Sequence, residues 1–232
     1  YLSGGWWSNP FISIVDISDP YDINFINNVN TIGMPVDMVI SNGYLYVAEE
    51  VDDVGFRLEI FNVMKPDSAT RVYSSIENDT IGQFIICAGD YLYTASTENK
   101  VYIFDIENPT ITQFISSIEI PESITDGWQI SSIDIMNDIL FLTLELEAPP
   151  HSMILVDVSD PHNPEILSTI NACSYWWNSV DTYNDYAFIV NYDFGYESEF
   201  FKVVDVYCSP LVKQILREFC DRFHMLLLPD SV

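Results

Sequence analysis

The chain has 232 residues, of which 48% are hydrophobic and 14% aromatic, a composition typical of a globular protein with a sizeable core. It carries 35 acidic residues against 8 basic ones, a formal net charge of −27. Binding to nucleic acids or anionic membranes depends on clustered Lys and Arg, so we expect neither as a partner. No apolar run approaches roughly 18 residues, which predicts no membrane insertion. The same acid excess would also keep a β-rich protein soluble without any partner.

Two short phrases recur along the chain at a nearly constant step. The first opens a hydrophobic strand and predicts B strands that begin near residues 1, 44, 91, 139 and 186. The second ends a hydrophobic run with Asp or Asn, at Asp16, Asn62, Asp105, Asp157 and Asp205. The mean spacing is about 47 residues. Periods of 20 to 50 residues indicate a repeat architecture, in which each unit stacks on copies of itself.

Each repeat contains four short strand-like runs, separated by turn residues, and no convincing helical period. We name these strands A, B, C and D. In the second repeat we expect them at residues 36–41, 44–49, 58–63 and 70–76, and in the third at 83–88, 91–96, 101–106 and 112–118. The Asn42-Gly43 pair between A and B is a strong signal for a tight hairpin. Four antiparallel strands per repeat of this length predict the blade of a β-propeller.

The two ends of the chain predict how such a ring closes. Residues 1–3 resemble the opening of a B strand, and residues 223–231 resemble an A strand with its turn. We therefore predict one all-β domain over residues 1–232, a five-bladed β-propeller of four-stranded antiparallel blades in which a C-terminal strand A completes the N-terminal blade. A larger propeller cut at a repeat boundary would show the same phasing. The first residue is Tyr, so we expect any targeting segment to have been removed.

Three segments carry a more specific motif. They are Ile-Val-Asp-Ile-Ser-Asp-Pro at 14–20, Ile-Phe-Asp-Ile-Glu-Asn-Pro at 103–109 and Leu-Val-Asp-Val-Ser-Asp-Pro at 155–161. With them the chain resembles the LVIVD-repeat family of β-propellers, although residues 62–66 and 207–210 depart from the pattern. The resemblance implies a bacterial or archaeal surface or secreted protein without an agreed activity. It therefore implies an extracellular or cell-surface location, membership of a larger protein, and a propeller fold.

The aspartates that recur on strand C invite interpretation as a ring of metal ligands: Asp16, Asp105, Asp157 and Asp205. Strand C lies away from the axis of a propeller, so these residues cannot converge on one ion. A short side chain just before a turn is better suited to accept hydrogen bonds from backbone N–H groups. We predict that these aspartates fix the turn between strands C and D.

The strand directions sort the connections between strands into two ends. The turns from A to B and from C to D share one end and are short, whereas the connections from B to C and from D to A share the other end and vary in length. All five tryptophans lie in or beside the variable connections, where function concentrates on a rigid scaffold. Packing between blades would also account for each tryptophan singly. Our candidate ligand-binding residues are Trp6, Trp7, Trp128, Trp176, Trp177 and Tyr196.

The same connections carry many carboxylates, and Ca²⁺ binds to several oxygen ligands at once. The candidate Ca²⁺ ligands are Asp52, Asp53, Asp193 and Glu197, with solvated acidic loops as the alternative. The four cysteines show no C-x-x-C spacing. We expect Cys87 to be a buried thiol, and Cys173 and Cys220 are candidates to pair in an oxidising compartment.

No nucleophile, phosphate-binding or zinc motif occurs in the chain. The leading hypothesis is therefore a non-enzymatic extracellular binding or adhesion module that presents an aromatic and acidic loop surface to a carbohydrate or a protein. One alternative is a propeller hydrolase or lyase with a Ca²⁺ or carboxylate site at the channel mouth. Another is a purely structural module of a larger surface protein.

Overall fold

The computed structural model describes residues 2–4, 9–52, 55–75, 81–145, 153–170, 179–183, 186–192 and 199–205. The chain divides into two compact units, residues 1–117 and 118–232. Three antiparallel sheets begin in the first unit and two in the second. Among the residues described, no helix is long and apolar enough to cross a membrane.

Every sheet is an antiparallel meander, in which strands that follow one another in sequence lie side by side. The first sheet contains β1 (Leu2–Gly4), β2 (Phe11–Asp16) and β3 (Asn24–Asn30). The second contains β4 (Met34–Ser41), β5 (Tyr44–Val51), β6 (Gly55–Asn62) and β7 (Thr70–Ser74), and the third β8 (Phe84–Ala88), β9 (Tyr91–Ala95), β10 (Lys100–Asp105) and β11 (Gln113–Glu119). The fourth contains β12 (Gln129–Met136), β13 (Ile139–Glu145), β14 (Met153–Asp157) and β15 (Glu165–Ile170), and the fifth β16 (Ser179–Tyr183), β17 (Tyr186–Tyr192) and β18 (Glu199–Asp205). A single-turn helix, α1 (Glu122–Thr125), precedes β12, and a 3-10 turn covers Pro66–Ser68.

The four strands predicted for each repeat are confirmed in the second, third and fourth sheets. The first sheet holds strands B, C and D of its repeat, and the fifth sheet holds A, B and C. Some strands are longer than predicted: β6 begins at Gly55 because its hairpin with β5 stays paired as far as Val51 and Gly55. The closing strand predicted within residues 223–231 lies outside the described residues, so closure at five blades stays a prediction.

The middle strand β5 is buried on both faces, because its alternating side chains meet the first sheet on one side and the third sheet on the other. On β5, Leu45 and Val47 pack with Ile12 of the first sheet. Tyr46 and Ala48, whose side chains lie on the opposite face of β5, pack with Ile85 of the third sheet. In the second unit, the fourth and fifth sheets share a core that includes Phe141, Leu155, Val180 and Ile189. Within each unit, neighbouring sheets therefore pack against one another, as expected for stacked repeats.

One position separates the first sheet from the others. The residue after the strand-C Asp or Asn is buried in the second, third and fourth sheets, as Val63, Ile106 and Val158. Its backbone N–H donates to a carbonyl of the A-to-B turn in the same sheet, and that turn covers it. In the first sheet the equivalent Ile17 is 68% exposed, and the described part of this sheet contains no strand A and hence no such turn.

Candidate functional site

The recurring aspartates at the ends of the C strands act as backbone caps. Asp16 accepts a hydrogen bond from the Ser18 N–H at 2.9 Å, and Asp105 and Asp157 accept equivalent bonds at 2.8 and 2.9 Å. The bonds from Ser18 hold the pKa of Asp16 below its usual value. The predicted role is confirmed for these three residues, whereas the turn after Asp205 lies outside the described residues.

A second cap follows each of the first ones. Asp19, Asn108 and Asp160 each accept a hydrogen bond from the backbone N–H two residues later, at 2.9 to 3.1 Å. The hydrogen bonds that Asp160 accepts from Asn163 and from the His162 N–H lower its pKa. We call this end of the sheets, formed by the A-to-B and C-to-D turns, the turn end. The capping Asp and Asn side chains at this end hold the backbone of the C-to-D turns.

The opposite end, which we call the loop end, carries acidic residues of a different kind. Asp52 follows β5, Glu98 lies between β9 and β10, and Glu122 and Asp126 lie in the connection before β12. All four are exposed. The capping carboxylates Asp16, Asp19 and Asp160 are exposed as well, but each of these accepts a hydrogen bond from a nearby backbone N–H.

The predicted ligand-binding set can be placed at one residue only. Trp128 is half-buried directly before β12, and its backbone N–H donates to the Thr125 carbonyl at 2.9 Å. The turn is set by Asp126 and Gly127, which have φ angles of 51° and 83°. The other five residues of this set lie outside the described residues: Trp6, Trp7, Trp176, Trp177 and Tyr196.

The predicted Ca²⁺ ligands are likewise placed at one residue. Asp52 is exposed, while Asp53, Asp193 and Glu197 lie outside the described residues. Within the described ranges, no group of three or more His, Cys, Asp or Glu side chains could hold a metal ion.

The one described cysteine is Cys87 on β8. It is half-buried and packs against the core between the second and third sheets. Burial raises its thiol pKa to about 12, so it stays protonated and unreactive at neutral pH. Cys173 and Cys220, the candidates for a disulfide, lie outside the described residues.

Sequence reasoning missed a pair of glutamates inside the second sheet. Glu49 on β5 and Glu59 on β6 have no exposed surface. Their side chains share the face of the sheet that carries Val47 and Phe61, since Val47 pairs with Glu59 and Leu45 with Phe61. Both carboxyl groups therefore lie on the side that packs against the first sheet.

The pair binds the connection between the first and second sheets. Glu49 Oε2 accepts a hydrogen bond from the Gly33 N–H at 2.9 Å, and Glu59 Oε2 accepts one from the Ile32 N–H at 3.2 Å. A Cβ atom at Gly33 would lie 2.5 Å from the Glu50 carbonyl oxygen, so only glycine allows this close approach. We call residues 30–33 and the side chains that hold them the first joint.

Arg71 supplies the positive charge of the first joint. Its Nε lies 2.6 Å from Glu59 Oε1, and its Nη2 donates to the Asn30 carbonyl at 2.9 Å. The guanidinium also lies over the Phe61 ring, 5.6 Å from its centroid. One cation therefore faces two carboxyl groups.

Because Glu49 is buried and the two carboxyl groups face one cation, the pKa of Glu49 is raised. Burial raises its pKa to about 9, and the hydrogen bond to Glu59 and the charge of Glu59 act in the same direction. The Gly33 N–H and Arg71 lower the pKa, without offsetting the burial. Glu49 is therefore protonated at neutral pH, while Glu59 is the ion-pair partner of Arg71.

The next connection along the chain uses different chemistry. At Gly82, which precedes β8, the backbone N–H donates to the Thr94 hydroxyl at 3.0 Å. A Cβ atom at Gly82 would overlap the backbone of Ala95, so this approach is also close. Ser96 stands in this repeat where Glu49 stands in the second repeat. We call Gly82 with Thr94 the second joint.

Strand A carries a further link between sheets. Asp37 Oδ2 on β4 accepts a hydrogen bond from the Ile85 N–H on β8 at 2.8 Å. In the second unit, Ser132 and Asp134 on β12 accept bonds from the backbone N–H groups of Val180 and Thr182 on β16. Burial raises the pKa of Asp37 and of Asp134. These strand-A acids are thus used for contacts between sheets.

Comparison with solved structures identifies the class of fold. The computationally designed Ika4 protein is similar over 75% of this chain and 92% of its own, with a TM-score of 0.54 and 8% identity. A putative 6-phosphogluconolactonase from Bacteroides uniformis is similar over 87% of this chain, with a TM-score of 0.65 and 12% identity, and the match spans 62% of that protein. The designed Ika8 protein matches 88% of this chain and 57% of its own, with a TM-score of 0.57 and 8% identity. The chain has an all-β, propeller-type fold of four-stranded antiparallel sheets.

The sequence comparison is more specific about the repeat. The family model of the LVIVD repeat matches residues 7–31 and 83–119, so the predicted resemblance is confirmed and the chain carries LVIVD repeats. No curated protein matches the sequence significantly.

Proposed function

We propose that the chain is a non-enzymatic extracellular binding or adhesion module, whose loop end presents aromatic and acidic side chains to a carbohydrate or a protein. The proposal rests on the difference between the two ends of the sheets. At the turn end several short acidic side chains, among them Asp16 and Asp105, accept hydrogen bonds from the backbone, whereas the exposed acids of the loop end lie on its variable connections: Asp52, Glu98, Glu122 and Asp126. Exposed side chains on connections held by a rigid scaffold are the usual position of a binding surface.

The observation that carries the proposal is the segment before β12. It combines the half-buried Trp128 with the exposed Asp126 on a turn fixed by two residues of positive φ. A tryptophan held in this way offers a large flat surface at low entropic cost, which suits a sugar ring or a peptide side chain. A neighbouring carboxylate accepts hydrogen bonds from hydroxyl groups or pairs with a cation.

The net charge of −27 restricts the classes of partner that the module could bind. It favours neutral glycans and basic proteins, and it opposes nucleic acids and anionic membranes because like charges repel. We also propose that the module belongs to a larger surface or secreted protein. This location is supported by the LVIVD repeats and is testable by surface labelling of cells that produce the parent protein.

An enzymatic role as a hydrolase or lyase finds less support among the described residues. The acid with the largest described rise in pKa, Glu49, is fully buried together with Glu59, so a substrate cannot reach either carboxyl group. The similarity to a putative lactonase is at 12% identity and concerns the fold alone.

The test is a screen of glycan and peptide arrays with the native chain, in the presence of Ca²⁺ and in the presence of a chelator. We expect a ligand whose affinity falls by roughly 30-fold in Trp128→Ala, since truncation of a central aromatic contact costs about 2 kcal/mol. A Trp176→Ala/Trp177→Ala variant tests the two candidates outside the described residues.

Tyr183→Ala provides the matched control, because Tyr183 is an aromatic residue with 69% exposure at the turn end of the fifth sheet. Its affinity should equal that of the native chain. If neither set of tryptophans matters, the loop-end proposal is wrong. Finding no ligand on any array would favour a purely structural module, and a loss of binding with chelator alone would assign the contact to Ca²⁺.

A further inference from the structure

The first joint contains two carboxyl groups, one cation and no exposed surface on either acid. Glu49 Oε2 and Glu59 Oε2 each hold one backbone amide of the connection, and Glu59 Oε1 holds Arg71. Glu49 Oε1 and Glu59 Oε1 are both buried without a hydrogen bond from any described residue, although Glu59 Oε1 lies 2.6 Å from Arg71 Nε. A proton fits on Glu49 Oε1, because Glu59 Oε1 faces the cation.

We propose that Glu49 is held as a neutral acid beside the ion pair of Glu59 with Arg71, and that loss of its proton releases residues 30–33 from the second sheet. With the proton present, the joint contains one carboxylate, one guanidinium and one neutral acid, and its charge is balanced. Without it, two carboxylates face one cation in a region that excludes water. A second buried charge is costly unless water enters, and entry of water requires the covering segment to move.

Apart from Arg71, Arg57 is the one cation on strands β4 to β7, and it lies on the same face of the sheet as the two glutamates. Arg57 lies opposite Glu49 on β6, but its Nε is buried and makes no hydrogen bond to a described residue. Glu50 on β5 and Asp37 on β4 are the other acids of these strands. By strand alternation both lie on the opposite face of the sheet, where Asp37 binds the third sheet. Residues 30–33 contain no titratable side chain.

The direction of the pH effect follows from linkage. Glu49 has an ordinary pKa of 4.5 when released and a pKa of about 9 in the closed joint. Between these values the closed state keeps the proton and the open state loses it. The closed state is therefore favoured at the acid side of this range and is weakened as pH rises toward 9.

The second joint is an internal standard for this effect. It makes the equivalent contact between a glycine N–H and a side-chain oxygen, but the oxygen belongs to Thr94, which does not titrate. Gly33 and Gly82 should therefore respond differently to pH in one and the same molecule. Other acids that stabilise or destabilise the whole fold affect both amides together.

The experiment is amide hydrogen exchange followed by NMR on the native chain between pH 6 and pH 9, corrected for the intrinsic exchange rate. We expect the protection of Gly33 relative to Gly82 to fall by up to about tenfold per pH unit, the limit for release of one proton on opening. Ile32, which donates to Glu59, should follow Gly33.

Glu49→Gln should abolish the pH dependence, because glutamine keeps the acceptor oxygen and cannot lose a proton. Glu50→Gln makes the same chemical change on the opposite face and should leave the dependence intact. A constant ratio of Gly33 to Gly82 protection in the native chain would overturn the proposal, as would an unchanged dependence in Glu49→Gln. If Glu49→Gln fails to fold, the ratio in the native chain still decides.

Discussion

The first joint holds its connection with two buried glutamates and Arg71, whereas the second joint uses the hydroxyl of Thr94. Both joints require a glycine, since a Cβ atom at Gly33 or Gly82 would overlap the neighbouring backbone. In both repeats a glycine therefore approaches strand B closely, while the group that binds its N–H, and the position of that group on the strand, change. Charge at this position adds an ion pair and a titrating proton, neither of which the fold needs, as the second joint demonstrates.

The largest difference between the joints should appear when the cation is removed. Arg71→Ala leaves the fully buried Glu59 without its ion-pair partner and also removes the bond to the Asn30 carbonyl. We expect the free energy of unfolding to fall by about 2–3 kcal/mol, less than the roughly 3–5 kcal/mol for a fully buried pair because Arg71 is partly exposed. Urea denaturation at pH 7 measures this loss.

Lys65→Ala is the control for the loss of one positive charge, because Lys65 is exposed. It should change the free energy of unfolding by no more than about 0.5 kcal/mol. Equal effects of the two substitutions would mean that Arg71 acts only through the net charge of the chain.

A smaller effect is expected at the second joint. Thr94→Val removes the acceptor of the Gly82 N–H while keeping the shape of the side chain. The buried donor loses its partner, which costs about 1–2 kcal/mol. Thermal unfolding at pH 5 and pH 9 should show the same loss at both values, and Thr94→Ser should restore most of it. A loss that depends on pH would remove the distinction between the joints.

The smallest effect on stability is expected at the turn end, where the hydrogen bond between a carboxylate and the backbone is accessible to water. Asp105→Ala removes the acceptor of the Glu107 N–H and should lower the free energy of unfolding by about 1 kcal/mol. Asp105→Asn should retain most of the stability, since Asn62 makes the equivalent bond to the Met64 N–H at 3.1 Å in the second repeat. Chemical denaturation of the three proteins side by side checks the order, and an alanine as stable as asparagine would contradict it.

The sequence was sufficient to predict the meander, the hairpin at Asn42-Gly43 and the caps at Asp16, Asp105 and Asp157. These features depend on residues that are close together in the chain and that recur in each repeat. The same pattern in several repeats therefore strengthens each prediction. The bounds of β6 were missed because the length of a hairpin depends on how far its two strands stay paired, which turn residues do not determine.

The first joint was missed for a different physical reason. Glu49 lies within a predicted strand, and the strand pattern does not indicate burial of its side chain, because a charged residue is usually exposed. One signal was available: Ser96 and Leu144 stand at the equivalent position in the next two repeats, so Glu49 interrupts an otherwise uncharged position. That Arg71 compensates the pair depends on contacts across three strands, which no spacing in the sequence specifies.

The strand-A links have a consequence for how such a chain can grow. Asp37 receives the main-chain amide of Ile85, and Ser132 receives that of Val180, in each case 48 residues further along. One repeat contributes a particular side chain, while its successor contributes only an amide that every residue except proline possesses. A duplicated or transplanted blade could thus dock on its predecessor whatever side chain it carries at that position. The following blade can therefore change its residue at this position without losing the hydrogen bond. Selection for the bond acts only on the blade whose side chain accepts it.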